Sequence, residues 1–96
     1  MDGPMDSGGT TKNTLIMVVD DEWTNRELME SLLTLFGYEV ILANSGKAAL
    51  QLVDMRLPDL ILIDVRMPDM DGFEACARFK ANETTASIPI ILTTAL

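Results

Sequence analysis

The sequence predicts an α/β domain built on a doubly wound parallel sheet. The first observation is that residues 15–19 and 60–63 are continuous runs of β-favouring apolar residues, which is typical of strands buried on both faces. The second is that segments with helical spacing separate successive strands, giving the order β-α-β-α-β-α-β. Strands that alternate with helices of this length form parallel β-α-β units, whose right-handed crossovers cover both faces of the sheet.

The first strand and helix are predicted from residues 15–37. The strand covers Leu15–Val19, and Thr24 followed by Glu27 three positions later matches a capping box, which predicts a helix beginning near Asn25. Gly37 suits the position just after the helix. Apolar residues recur at helical spacing along this helix: Leu28, Leu32, Leu35 and Phe36.

The middle of the chain continues the alternation. A second strand is predicted over residues 38–43, and Ser45 can cap a second helix that ends before Pro58. A third strand over residues 60–63 again shows no polar alternation and leads directly into Asp64. The predicted second helix carries the apolar residues Ala49, Leu50 and Val53.

The last predicted elements are a helix over residues 72–80 and a strand over residues 88–93, entered through Pro89. Asp69 suits the preceding turn and Asp71 suits the N-cap of the helix. The helix is expected to place three side chains inward: Phe73, Cys76 and Phe79.

Composition limits the function classes. Ninety-six residues suffice for one small domain, and 15 acidic against 7 basic residues give a net charge of −8 without any His. This charge argues against binding to a nucleic acid backbone. No apolar run approaches the roughly 20 residues of a membrane span. The single Cys permits no internal disulfide, which suits a cytoplasmic setting. Residues 1–13 are predicted to be a flexible leader and residues 14–96 the domain.

Acidic and hydroxyl residues follow the predicted strands. Asp20 and Asp21 come after the first strand, Asp64 after the third, and Thr93 and Thr94 end the fourth. Ligands of open α/β sheets bind beyond the carboxyl ends of the strands, near the switch point in strand order. If strands one and three are neighbours, three carboxylates repel one another there and need a cation, and all-oxygen donors favour Mg²⁺ or Mn²⁺. The alternative, that these acids are solvated loop or cap residues, stays open at this point.

Three motifs together carry a family resemblance: IMVVDDE, LILIDVRMPDMDG and IPIILTTA. At these separations they closely resemble the receiver domain of bacterial two-component response regulators, of the chemotaxis-regulator-like kind. The resemblance runs from about Leu15 to the last residue. It implies a flavodoxin-like sheet with strand order 2-1-3-4.

The resemblance also implies roles for single residues. Asp64 matches the phosphoacceptor, which takes a phosphoryl group from a histidine kinase or phosphotransfer protein. Asp21 matches a direct Mg²⁺ ligand, Asp20 an acid that holds the ion mainly through water, and the backbone carbonyl of Arg66 the remaining protein ligand. A phosphoacceptor of this kind is not an enzyme, apart from slow self-phosphorylation and autodephosphorylation.

Two further matches concern the switch that follows phosphorylation. Thr94 matches the hydroxyl that moves to bond the phosphoryl group, and Ala95 matches the small residue that leaves room for that group. The family continues past the equivalent of Leu96 with more elements and with a Lys that pairs with the phosphoryl group. From the resemblance we expect a C-terminally truncated receiver domain with impaired output. The uncovered flank of its sheet and its open edge strand predict a homodimer, and exchange of strands or helices between the two chains is one arrangement left open.

Two alternatives remain. The first is a non-catalytic interaction or dimerisation module that uses the uncovered flank and edge strand of the sheet, in which phosphorylation is irrelevant. The second is a small Mg²⁺-dependent phosphatase, which is disfavoured because Arg66 stands where such enzymes often place a general acid two residues after the nucleophile.

Overall fold

The computed structural model describes residues 13–94. Residues 1–12, which make up most of the predicted leader, and residues 95 and 96 lie outside this range. Seven elements follow one another in the predicted order: β1 (Leu15–Val19), α1 (Trp23–Leu35), β2 (Glu39–Ala43), α2 (Gly46–Leu52), β3 (Leu60–Asp64), α3 (Gly72–Ala81) and β4 (Ile90–Thr93).

The four strands form one parallel sheet in the order β2-β1-β3-β4. This confirms the predicted order 2-1-3-4 and the adjacency of the first and third strands. Val19 is aligned with Ala43 on one side and with Ile63 on the other, so β1 is central. Its side chains are all buried, as the unbroken apolar run predicts. The direction of the strand order reverses between β1 and β3, which makes their carboxyl ends the switch point.

The larger core lies between the sheet and helices α2 and α3. Right-handed crossovers from β2 to β3 and from β3 to β4 place these two helices on one face, whereas the crossover from β1 to β2 places α1 on the other. The core cluster on the α2 and α3 side consists of Met17, Val19, Ala43, Ala49, Val53, Ile61, Ile63, Met67, Ala75, Phe79 and Ile88. Burial of this apolar surface is the main force that holds β1 and β3 side by side.

Helix α1 begins two residues before the predicted start. Glu22 occupies the N-cap with extended backbone and no side-chain cap bond, so the predicted capping box of Thr24 and Glu27 is wrong. The first helical bond, from the Arg26 N–H to the Glu22 carbonyl at 3.1 Å, already includes Thr24 in the first turn. The carboxylate of Asp20 accepts the Glu22 N–H at 2.9 Å, which satisfies the backbone donor of the N-cap residue itself.

The apolar residues at helical spacing in α1 are largely exposed. No residue of α1 is buried; Leu28 is 59% exposed and Leu35 is 77% exposed. The helix predicted from this spacing is present. Within residues 13–94, however, α1 is the one helix on its side of the sheet, so its apolar side chains have only the sheet to pack against. In the same described range, no helix combines the length and apolarity that a membrane span requires.

The second helix and its cap agree with the prediction. The Ser45 hydroxyl oxygen accepts the Ala48 N–H at 3.0 Å, which satisfies one of the free donors at the start of α2. Ala49 and the following Val53 are buried in the core.

Helix α3 shows one error in the predicted packing face. Asp71 is its N-cap, as predicted, and accepts the Glu74 N–H at 2.8 Å. Phe79 is fully buried, but Phe73 is 61% exposed, so its predicted inward orientation is wrong. The buried face instead consists of Gly72, Ala75 and Phe79. Small residues face the sheet because the start of α3 lies against the backbone that follows β3.

Candidate metal centre

Three acidic side chains meet at the switch point. The Asp20 N–H extends the β1–β2 ladder by one bond to the Ala43 carbonyl at 3.1 Å, so Asp20 leaves the sheet at a defined place. Asp64 is the last residue of β3 and is aligned with Thr93 of β4. One carboxylate oxygen each from Asp20, Asp21 and Asp64 lies within 4.8 Å of the others. The convergence expected from the sequence is therefore present.

These three residues fit a hard divalent cation. They offer only oxygen donors, and carboxylates held this close repel one another unless positive charge lies between them. Asp21 is exposed, so the cluster opens to solvent, whereas Asp64 is only 3% exposed. A centre with one open side suits Mg²⁺, which keeps several of its waters and takes few protein ligands.

The loop after β3 is held by backbone hydrogen bonds. The Val65 N–H donates to the Thr93 carbonyl at 2.8 Å, and the Val65 carbonyl accepts the Gly72 N–H at 3.0 Å. The Arg66 N–H donates to Asp64 Oδ1 at 3.1 Å, which satisfies one oxygen of a buried carboxylate. The other oxygen of Asp64 takes no part in this hydrogen bond, and the loop that follows Asp64 is fixed to both β4 and α3.

The carboxyl group of Asp20 has a perturbed pKa. Burial raises the pKa of Asp20 above its ordinary value, and the negative charges of Asp64 and Asp21 act in the same direction. Hydrogen bonds from the Glu22 N–H and the Asn25 side chain lower the pKa in part. The net rise means that the cation-free cluster holds its negative charge at a cost in free energy.

The predicted switch residues lie beside the acids in different environments. Thr93 is half-buried and its hydroxyl donates to the Ile63 carbonyl at 3.3 Å. Thr94 is exposed and lines a groove of about 300 Å³ that runs from Asp20 and Asn25 onto the α1 side of the sheet. Arg66, two residues after Asp64 in the loop that follows β3, is exposed. Ala95, the predicted small residue, lies outside the described residues.

Sequence reasoning missed three contacts near the acids. The Arg26 Nη1 donates to the Asp20 carbonyl at 2.7 Å, and the Asn25 side chain lies close enough to the Asp20 carboxylate to lower its pKa. A Cβ added at Gly72 would lie 2.6 Å from the Asp64 carbonyl oxygen. None of these follows from hydrophobic periodicity; the only signal was the clustering of Asn and Arg in the first turns after an acidic strand end.

Lys80 does not join this cluster of acids. The Lys80 Nζ donates to the Ala86 carbonyl at 3.1 Å and to the Ile88 carbonyl at 2.7 Å, both before β4 begins. Those carbonyls lie at the amino end of β4, whereas the acids lie beyond the carboxyl ends of the strands. Lys80 therefore closes the turn that leads into β4.

The fold and the site define a flavodoxin-like α/β domain with an acidic centre at its switch point. The family model for the response regulator receiver domain matches residues 16–96, so this chain belongs to that family. It is 49% identical over 81 residues to the response regulator PleD of Caulobacter vibrioides, a match that covers 84% of this chain.

Solved structures show the same fold. The N-terminal domain of a response regulator receiver protein from Methanoculleus marisnigri superposes with a TM-score of 0.83 at 36% identity, covering 85% of this chain and 67% of that one. The chemotaxis protein CheY4 of Vibrio cholerae gives a TM-score of 0.82 at 31% identity, covering 84% and 68%. The match to PleD covers 18% of that protein's length, so this chain corresponds to a small part of it.

Proposed function

We propose that this chain accepts a phosphoryl group on Asp64 from a histidine kinase or phosphotransfer protein, in a reaction that depends on Mg²⁺ or Mn²⁺. The observation that carries the proposal is the meeting of Asp20, Asp21 and Asp64 within 4.8 Å at the switch point, with Asp64 nearly fully buried. Membership of the receiver family supports the same role. The proposal places the domain within residues 14–96 and its activity in the cytoplasm.

The chemical step requires a positioned carboxylate. One oxygen of Asp64 forms a bond to phosphorus while the P–N bond of the donor phosphohistidine breaks and its electron pair stays on the imidazole nitrogen. The hydrogen bond from the Arg66 N–H occupies the Oδ1 of Asp64 and thereby orients the carboxylate, which leaves Oδ2 as the attacking oxygen. Burial of the side chain limits the access of water to the acyl phosphate that results.

Other residues would hold the cation and respond to the product. We assign Asp21 and the Arg66 carbonyl as direct ligands together with Asp64, and Asp20 as a ligand through water. When bound, the ion supplies positive charge that offsets the charge on the phosphoryl oxygens. We assign the Thr94 hydroxyl as the group that moves toward the phosphorylated Asp64; its exposed position beside Asp20 leaves it free to rotate.

A direct test uses acetyl phosphate as the phosphoryl donor. The purified chain in the presence of Mg²⁺ should gain one phosphoryl group by intact mass, and peptide mapping should place it on Asp64. Asp59→Asn is a matched control, because Asp59 lies before β3 at the opposite end of the sheet and its Oδ2 accepts the Leu15 N–H at 2.8 Å, a role that an amide oxygen can keep. An unmodified parent chain, folded and with Mg²⁺ present, would overturn the proposal.

Mg²⁺ should stabilise the protein more at pH 7 than at about pH 5. The pKa of Asp20 is higher in the folded protein than in the unfolded chain. As the pH rises from about 4, the unfolded chain therefore loses the proton of the Asp20 carboxyl first, and the folded protein keeps it to a higher pH. The stability of the Mg²⁺-free protein therefore falls with rising pH through this window. Mg²⁺ competes with that proton, so the rise in Tm on adding about 10 mM MgCl₂ should grow with pH in scanning fluorimetry. Equal shifts at both pH values would contradict this expectation.

A second candidate function is association with another protein chain, including a second copy in a homodimer. It is favoured by the exposed apolar side chains of α1 and β4, among them Leu35 at 77% and Ile91 at 50% exposed. Under this candidate, light scattering at micromolar concentration gives a mass above that of the monomer, and Asp64→Asn leaves the mass unchanged. A monomeric mass rules out the homodimer.

A further inference from the structure

We propose that Arg26 is a positioning residue of the acidic centre: it anchors the loop that carries Asp20 and Asp21, and so sets the geometry in which the cation is bound. This inference rests on the proposed function for its consequence in Mg²⁺ binding, but its structural part stands on the cation-free protein.

The anchor is a hydrogen bond between a helix side chain and the end of the central strand. The Arg26 Nη1 donates to the Asp20 carbonyl at 2.7 Å across a separation of six residues, and Arg26 is itself half-buried. The bond is short and charge-assisted, and such bonds are stronger than those between neutral groups. It lies one peptide beyond β1, where the regular sheet ladder has ended.

The anchor closes a small hydrogen-bonded ring. The Glu22 N–H donates to Asp20 Oδ1 at 2.9 Å, the Arg26 N–H donates to the Glu22 carbonyl at 3.1 Å, and the Arg26 side chain returns to the Asp20 carbonyl. Three bonds thus tie strand end, loop and first turn of α1 together. Asp21 lies inside this ring in sequence, so its backbone position is determined on both sides.

The ring opposes the repulsion within the cluster. Three carboxylates within 4.8 Å of one another tend to separate, and Asp21, being exposed, is the one that can move most easily. With Arg26 in place, the loop cannot relax outward without breaking a charge-assisted bond. The carboxylates are therefore already arranged for a cation before it arrives, and less ordering is required on binding. Groups that hold metal ligands in place by hydrogen bonds, without touching the metal themselves, typically contribute 10–100-fold to metal affinity.

The test compares Arg26→Met with Arg56→Met as a matched control. Both variants remove one positive charge, but Arg56 pairs with Glu39 at the start of β2, at the opposite end of the sheet from the acids. Amide hydrogen exchange without Mg²⁺ should accelerate about tenfold at residues 20–22 in Arg26→Met and remain unchanged there in Arg56→Met. Exchange across Leu15–Val19 should stay slow in both, which shows that the fold is kept.

The second readout is Mg²⁺ affinity from the fluorescence of Trp23, which starts α1 two residues after Asp21. Arg26→Met should weaken binding roughly tenfold, and Arg26→Lys, which restores a charged donor, should recover a part of the loss. A purely stabilising Arg26 would lower Tm and leave the affinity unchanged.

Unchanged exchange at residues 20–22 in a folded Arg26→Met chain overturns the inference. If that variant does not fold, Arg26→Gln carries the same measurement, because its side chain is too short to reach the Asp20 carbonyl and its helix propensity is high. A parent chain that binds no Mg²⁺ overturns the proposed cofactor, whereas the exchange result still decides whether Arg26 anchors the loop.

Discussion

Asp64→Asn is expected to abolish phosphorylation by acetyl phosphate while leaving the fold intact. The amide oxygen can accept the Arg66 N–H as Oδ1 of Asp64 does, at 3.1 Å, so the local backbone bond survives. What is lost is the nucleophile, because the amide nitrogen shares its electron pair with the carbonyl and does not attack phosphorus. The predicted loss of phosphorylation therefore has a chemical cause, and the fold is expected to remain.

The same substitution should also change the response to Mg²⁺. It removes one of the three carboxylates within 4.8 Å, so Mg²⁺ affinity should fall by roughly tenfold and the rise in Tm on adding Mg²⁺ should shrink. Intact mass after acetyl phosphate treatment, circular dichroism and scanning fluorimetry measure the three effects on one sample. If Asp64→Asn gained a phosphoryl group as readily as the Asp59→Asn control, the acceptor would lie elsewhere in the chain.

The site was predictable because it depends on topology more than on side-chain detail. Two uninterrupted apolar runs identify the central strands, and a parallel sheet brings the carboxyl ends of such strands to the same edge. Once β1 and β3 are neighbours, the residues at their carboxyl ends, Asp20 just after β1 and Asp64 at the end of β3, meet whatever the precise helix packing is. This explains why the acids were placed correctly although two helices were described with errors.

The errors concern contacts that local patterns do not encode. Thr24 and Glu27 have the spacing of a capping box, but the Asp20 carboxylate already bonds the Glu22 N–H, and the helix begins earlier. Phe73 has the character of a core residue, but the start of α3 comes so close to the loop after β3 that only small side chains fit beneath it. In the first case a hydrogen bond between residues two positions apart outweighs the capping pattern, and in the second case a tertiary contact with the backbone after β3 outweighs the apolar character of Phe73.

Arg26 shows a different limit of sequence reasoning. Its spacing from Asp20, six residues, cannot be interpreted with one periodicity, because one partner is a strand-end carbonyl and the other a helix side chain. From the sequence alone, an Arg near the start of an amphipathic helix would be assigned to the polar, solvent-facing side of that helix. Only the three-dimensional structure shows that the Arg26 side chain bonds the Asp20 carbonyl.

Gly72→Ala is expected to be the most destabilising of these substitutions. The new Cβ would lie 2.6 Å from the Asp64 carbonyl oxygen and 2.9 Å from the Val65 Cα, both of them backbone atoms. That backbone is held by the bonds from the Val65 N–H to Thr93 and from the Gly72 N–H to Val65, at 2.8 and 3.0 Å. The backbone of Asp64 and Val65 cannot move away from the new Cβ without breaking these bonds. We therefore expect the free energy of unfolding to fall by roughly 2–3 kcal/mol.

Gly46→Ala is the matched control for this prediction. Gly46 and Gly72 are both buried, and each is the first residue of its helix. At Gly46 the nearest atom to the new Cβ would be the Met70 Sδ at 2.9 Å, the end of a flexible side chain that can move away. Gly46→Ala should therefore change Tm little, whereas Gly72→Ala should lower it by roughly 10–20 °C and slow phosphorylation of Asp64, because the clash displaces the acceptor's own peptide. Equal Tm values for the two variants would show that the loop after β3 adapts freely, and the rigid positioning of Asp64 inferred from its backbone bonds would be wrong.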